Sequence, residues 1–178
     1  MIRFRYDKEV FLTILSKQSR LSDKINPDIR LVLGNIHART EIIKICNPYC
    51  QPCLESHAAL EQVLKNNRDV RIRIIYNITD DNEDLRSMPV KHFFAIWRET
   101  PDLLRGALIE WYSSKNLNYE NFAAKYPLKS SLKLQEAEIK RMYKWCIENG
   151  LDDRSPVYLI DGYYLPEIYK AADLQSVL

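Results

Sequence analysis

No stretch of the 178 residues approaches the ~18 consecutive apolar residues that a membrane-spanning helix needs, so none is expected. Charge of one sign is also missing: 26 Lys and Arg stand against 24 Asp and Glu, a net charge of +2. No Lys/Arg stripe interleaves with aromatics, and this balance argues against a nucleic-acid partner. The first 24 residues are mildly basic (Arg3, Arg5, Lys8, Lys17, Arg20, Lys24), a pattern that equally suits a solvated helix face. Cysteine is scarce, with 4 in all, too few to staple a domain of this size. The chain is instead expected to build its own core, since 46% of its residues are hydrophobic and its length is that of one domain, or one with an insertion. Charges interrupt the N-terminal MIRFRYDKEVFLTIL, so a signal peptide is not expected. Two settings remain, the cytoplasm or the excised soluble part of a larger protein, and composition does not choose between them. Repeats and low-complexity segments are absent.

Periodicity supplies the element order. Val10, Phe11, Ile14 and Leu15 at helical spacing, with Asp7 as cap, predict a helix within 6–20. Residues 21–28, with Asn26-Pro27-Asp28, read as a loop. Ile29–Leu33 reads as a strand ended by Gly34-Asn35. Thr40–Cys46 is a second strand, stopped by Asn47-Pro48. From Cys50 to about Asn66 the apolar spacing turns helical, and Val70, Ile72, Ile74 and Tyr76 then alternate with Arg71 and Arg73 as a clear strand. Residues 80–150 carry no strand pattern. Helices are predicted over Val90–Glu99, from Pro101 through Trp111, over Tyr119–Lys125, and from about Ser131 to Asn149, with Gly150 at the C-terminal cap. Val157–Ile160 and Tyr163–Leu165 read as strands around Asp161-Gly162, and Asp173–Leu178 as a closing helix. A βαβ start and a ββα end, separated by helices, imply an α/β sandwich with a mixed sheet.

Three of the four cysteines lie in one octapeptide, CNPYCQPC, residues 46–53. Cys50 and Cys53 form a C-x-x-C pair where a strand meets a helix. The first turn of a helix has unpartnered N–H groups and the positive end of the dipole, which stabilise a thiolate. Spacing i, i+3 puts the second sulfur one turn deeper on the same face, where it can resolve a mixed disulfide. Pro52 is tolerated because a first-turn residue has no hydrogen bond to lose. A redox dithiol is therefore expected.

Other chemistries fit less well. Cys46, Cys50, Cys53 and His57 offer metal-ligand types, but structural zinc sites usually draw ligand pairs from separate segments, and here all four are crowded together. The C-x3-C-x2-C spacing echoes the radical S-adenosylmethionine motif, yet Pro52 stands where that family carries an aromatic residue, and the chain supplies too few parallel βα units. Cys46, closing a strand, reads as a buried core thiol or as a third thiol that relays a disulfide. His57 reads as an ordinary helix residue or as a proton-transfer group. Cys146 shares an apolar stripe with Ile139, Met142 and Tyr143, and Trp97, Trp111 and Trp145 read as core. Tyr49 reads as part of an apolar rim or as a simple helix-start residue.

About a hundred residues after the dithiol, RSPVYLIDGYYLP places Ser155-Pro156 directly before a strand. The pairing of NPYCQPC with SPVYLIDG resembles the thioredoxin superfamily, in which a residue preceding a cis-proline faces the C-x-x-C pair. The helical block between the halves resembles disulfide oxidoreductases of the DsbA type. More narrowly, Pro48–His57 and Ser155–Leu174 are similar to the "PYC-x-PC-x-x-x-H" and "TP…ING…LP…DL" segments of the thioredoxin-like domain fused to bacterial vitamin K epoxide reductase homologues.

The resemblance implies a thioredoxin fold with an inserted helical subdomain: an N-terminal extension over 1–27, the thioredoxin-like part over 28–79 and 151–178, and the insertion over 80–150. It implies Cys50 as nucleophile, Cys53 as resolving thiol, Pro156 as cis-proline, and Tyr49, Gln51, Pro52 and Ser155 lining the site, with His57 and Cys46 as accessory candidates. The activity implied is thiol–disulfide exchange with protein substrates, requiring no metal or cofactor beyond the redox-active disulfide. A partner would be a membrane-bound, quinone-linked reductase homologue, perhaps on the same polypeptide, with the site in the periplasm or another extracytoplasmic compartment; a cytoplasmic reductase is the competing location. Gln-Pro between the cysteines, where thioredoxin has Gly-Pro, and Ser before the proline, where Thr is usual, leave the direction of electron flow open. The alternative class is a thioredoxin fold kept as a non-catalytic binding or metal-carrying module.

Overall fold

The computed structural model of the chain describes residues 5–21, 29, 31–79, 81 and 83–178. The loop expected at Asn26-Pro27-Asp28 lies outside the described residues. Among the described residues, five strands form one mixed sheet in the order β1-β3-β2-β4-β5. They are β1 (Val32–Gly34), β2 (Thr40–Cys46), β3 (Val70–Tyr76), β4 (Val157–Ile160) and β5 (Tyr163–Tyr164). Only β2 and β3 run parallel, paired over their full length from Thr40 with Val70 to Cys46 with Tyr76. They are joined by α2 (Gln51–Asn66), which gives the βαβ unit expected from the sequence. β1 runs antiparallel to β3, and β4 antiparallel to β2.

Before the sheet comes α1 (Lys8–Leu15), shorter than the 6–20 span but capped as expected, since the Asp7 carboxylate accepts from the Val10 N–H at 3.0 Å. The first strand also differs. It spans Val32–Gly34 instead of Ile29–Leu33, although the Ile74 N–H still reaches the Leu31 carbonyl at 2.9 Å. Gly34 is included because β1 ends in a left-handed turn, φ +88°, close beneath α2. A Cβ at this position would meet Leu64 Cδ2 at 2.8 Å and the Val70 carbonyl at 3.0 Å. Gly34→Ala is therefore expected to lower stability by about 1–3 kcal/mol, read as a reduced urea midpoint at unchanged slope. A midpoint equal to the parent's would refute this.

Between β3 and β4 the chain builds α3 (Ser87–Glu99), α4 (Pro101–Ser113), α5 (Tyr119–Lys125) and α6 (Glu136–Glu148). The single long helix expected from Ser131 to Asn149 is divided. Ser131 caps a 3-10 turn over Leu132–Gln135 through its side chain and carbonyl, and the α-helix begins only at Glu136. The tighter turn leaves Leu134 exposed and buries Gln135. Gly150, at φ +63°, ends α6 as expected. The C-terminus closes with a 3-10 turn, Ala171–Asp173, and α7 (Leu174–Val177).

Two packing features position the site. On one face of the helical block, Phe93, Trp111 and Phe122 meet edge to face with centroids 5.2–5.7 Å apart. Trp111 also donates its Nε1–H to the Pro48 carbonyl at 2.8 Å, tying this block to the loop that carries the cysteines. At the far end of β2, the Glu41 carboxylate accepts from Arg71 at 2.8 Å and from Arg73 at 2.9 Å, which fastens β2 to β3.

Candidate active site

β2 ends at Cys46 and the chain turns through Asn47-Pro48-Tyr49, where the Asn47 side chain accepts from the Tyr49 N–H at 2.9 Å and its carbonyl from the Cys50 N–H at 3.2 Å. Cys50 then occupies the N-cap of α2 in extended conformation, with Pro52 in the first turn. Its side chain makes no cap bond, so the sulfur is free to turn outward. The half-buried Cys50 Sγ lies 3.9 Å from the Ser155 carbonyl, in the loop where the Ser155–Pro156 peptide is cis. Cys53, one turn along, is fully buried next to Cys50. All four cysteines are free thiols.

Burial pushes the Cys50 thiol above its ordinary pKa, as does the bond to the Cys53 thiol, while the Cys53 backbone N–H pulls it down. The helix N-terminus thus acts on Cys50 as the sequence implies, but desolvation outweighs it. Cys53 is pushed far higher, first by its hydrogen bond with Cys46 and then by burial. Cys46 goes the other way: burial opposes its ionisation, but the Cys53 thiol, the Lys44 charge and the Tyr112 hydroxyl together hold it below the ordinary value. Cys146 is a core thiol, pushed up to about 12 by burial and by Asp152.

The other candidates fall in different places. Tyr49 is 38% exposed and packs edge-on against Trp111 with centroids 5.5 Å apart, at the rim. Gln51 is exposed and bonds to Glu55 at 3.2 Å, turned to its own helix. Pro52 and Pro156 both line a groove of about 390 Å³, together with Ser56, Ala59, Tyr158 and Leu165. His57 is buried and stacked on Tyr112, ring centroids 4.5 Å apart, with no hydrogen-bond partner at either nitrogen. Burial, with Lys44 and Arg105 nearby, lowers its pKa to about 3, so it is neutral at pH 7.

Lys44 and Tyr112 are the residues that sequence reasoning missed. Lys44 has no exposed surface, donates to the Cys53 carbonyl at 2.8 Å and sits 4.4 Å from the Tyr112 ring centroid. The available signal was a lone lysine inside IIKIC, on a strand flanked by pairing partners on both sides. Nothing comparable marked Tyr112, which reaches the cluster from α4. Among the described residues, no group of three or more His, Cys, Asp and Glu side chains is arranged to hold a metal ion. Among those same residues, no helix is long and apolar enough to cross a membrane.

This sheet order, with a C-x-x-C pair where a central strand enters a helix and a cis-proline loop against it, defines a thioredoxin-like fold with helices inserted between β3 and β4. Solved structures share it. The chain is similar to ScsC of Proteus mirabilis at TM-score 0.73 and 14% identity, over 95% of this chain and 84% of that one. It is similar to a periplasmic thioredoxin-like protein from Salmonella enterica serovar Typhimurium at TM-score 0.68 and 15% identity, over 87% and 96% of the two chains. DsbA2 of Pseudomonas aeruginosa aligns at TM-score 0.62 and 13% identity, over 86% and 94%. No protein-family model and no curated protein matches the sequence.

Proposed function

We propose that the protein is a thiol–disulfide oxidoreductase that exchanges disulfides with protein substrates through Cys50 and Cys53. The observation that carries this reading is the arrangement of the pair: Cys50 partly exposed against the cis-proline loop, Cys53 buried behind it. Disulfide exchange needs an accessible attacking sulfur and a shielded resolving one. In the forward direction, the Cys50 thiolate attacks a substrate disulfide and forms a mixed disulfide. Cys53 then attacks Cys50 Sγ, releasing the substrate thiol. The reverse sequence oxidises a substrate dithiol. No metal or organic cofactor enters either direction. The groove lined by Pro52 and Pro156, the residues that follow Gln51 and Ser155, supplies apolar surface for an unfolded segment of substrate.

The finer reading, carried by the sequence resemblance, is that electrons pass between Cys50 and a quinone-linked, vitamin K epoxide reductase-like membrane partner, with the site in the periplasm or another extracytoplasmic compartment. The similarity to a periplasmic thioredoxin-like protein agrees with this setting.

Separate Cys50→Ala and Cys53→Ala variants test the activity. Cys50→Ala is expected to abolish insulin-disulfide reduction, whereas Cys53→Ala is expected to accumulate mixed disulfides with substrate that reductant releases. Unchanged reduction by Cys50→Ala, together with no trapping by Cys53→Ala, would refute the reading. The reduction potential then gives the direction, because members of this superfamily range from about −270 mV for reductants to about −120 mV for oxidants.

A further inference from the structure

The dithiol mechanism uses two sulfurs, yet a third lies directly behind them. Cys46 is fully buried with its thiol next to that of Cys53, which in turn adjoins Cys50. The three sulfurs therefore form a file running from the cis-proline rim into the core, with Cys53 in the middle. At the inner end, the Tyr112 hydroxyl lies 3.4 Å from Cys46 Sγ and 2.9 Å from the Tyr76 hydroxyl. The Lys44 amine donates to the Cys53 carbonyl, beneath the cluster; burial lowers its pKa, and the neighbouring cysteines, Cys46 foremost, act to raise it and so favour its ammonium form. An ammonium and a hydroxyl gathered around one buried thiol favour its anion, since a charge taken out of water persists only with partners.

We infer that Cys46 is a third redox thiol, which exchanges with the Cys50–Cys53 disulfide to give a buried Cys46–Cys53 disulfide and a free Cys50. The inference rests on the dithiol reading above. In this step the deprotonated Cys46 sulfur attacks Cys53 Sγ, the Cys46–Cys53 bond forms and the Cys50–Cys53 bond breaks. The electron pair leaves on Cys50 Sγ, which takes up a proton at the rim in place of the one Cys46 gave up. The numbers of thiols and disulfides do not change, so no oxidant or reductant is consumed. Lys44 serves as the charge partner of Cys46 before the attack. The opposite pKa displacements of Cys46 and Cys53 agree with an attacking thiolate at the inner end of the file. As a consequence, an oxidised molecule still presents a nucleophile. It can open and reshuffle a substrate disulfide while its own oxidising equivalents are held in the core.

The test locates which of Cys46, Cys50 and Cys53 is left as a thiol in the singly oxidised protein; Cys146 falls on a separate tryptic peptide. The full chain is oxidised with limiting diamide, quenched in acid, labelled with N-ethylmaleimide in denaturant and cleaved with trypsin. All three cysteines fall on the peptide 45–65, in which fragmentation places the label. A fraction labelled at Cys50 is expected, and it should vanish in Cys46→Ala, where Cys50 is held with Cys53. Cys50→Ser, altered only at the rim, should form the Cys46–Cys53 disulfide and lose the mass of two hydrogens. Label on Cys46 alone in the parent, or three persistent thiols in oxidised Cys50→Ser, overturns the inference and leaves the dithiol reading intact. Failure of Cys50 to pair with Cys53 in both the parent and Cys46→Ala removes the dithiol reading, and the inference with it.

Discussion

Trp111→Ala is expected to destabilise the protein by about 3–5 kcal/mol, the usual cost of removing a large buried aromatic. Trp111 is 2% exposed and meets Phe93, Phe122 and Tyr49 edge to face, so alanine leaves a cavity with three aromatic walls. It also strips the Pro48 carbonyl of its 2.8 Å donor, two residues before Cys50. Trp111→Phe separates the two effects: most of the packing remains, and the lost hydrogen bond accounts for about 1–3 kcal/mol. Urea denaturation supplies both values, and the rate of Cys50 alkylation reports the loop. Both variants are expected to alkylate faster than the parent. A Trp111→Ala protein within 1 kcal/mol of the parent, on the order of an ordinary surface substitution, would show that the helical block does not brace the cysteine loop.

The second large effect concerns pH. Folded His57 titrates at about 3, against an ordinary value of 6.5 in the unfolded chain. Between these values the unfolded state binds the proton and the folded state does not, so stability must fall as pH drops through that window. The full linkage is on the order of 5 kcal/mol, with about two thirds of it lost by pH 4. The carboxylates are distinguishable: half-buried Asp84 and buried Asp173 lie below their ordinary 3.8, so their contribution is lost only at lower pH. His92 is also lowered by burial, so a variant is needed to isolate the His57 share. His57→Phe keeps a ring on Tyr112 and removes two nitrogens that make no hydrogen bond, although Nε2 lies 3.8 Å from the Glu61 carboxylate. It is expected to match or exceed the parent's stability at pH 7 and to flatten the decline between pH 6.5 and 4. An equally steep decline in the variant would place the linkage elsewhere.

Legibility in the sequence tracked the range of the interactions involved. β2, β3 and β4 were readable because apolar runs and strict alternation are local patterns, and Asp7 because an N-cap acts within three residues. The division at Glu136 was not, because the periodicity runs on through Leu132–Gln135 and only the Ser131 cap and the burial of Gln135 favour a tighter turn. The first strand was displaced because its end is set by Gly34 passing close under Leu64, a contact across thirty residues of chain.

The site divides in the same way. Position on a strand–helix junction, the first-turn proline and the i, i+3 spacing of Cys50 and Cys53 follow from the sequence, since all three are consequences of helix geometry within one turn. What only the tertiary structure decided is the company each sulfur keeps. Ser155 reaches Cys50 from the loop before β4, Tyr112 reaches Cys46 from α4, and Lys44 is sealed because its strand is paired on both sides. Desolvation and charge act through space and not along the chain. Three cysteines alike in the sequence thus become a rim thiol, a buried middle thiol and a deep thiol near a buried lysine.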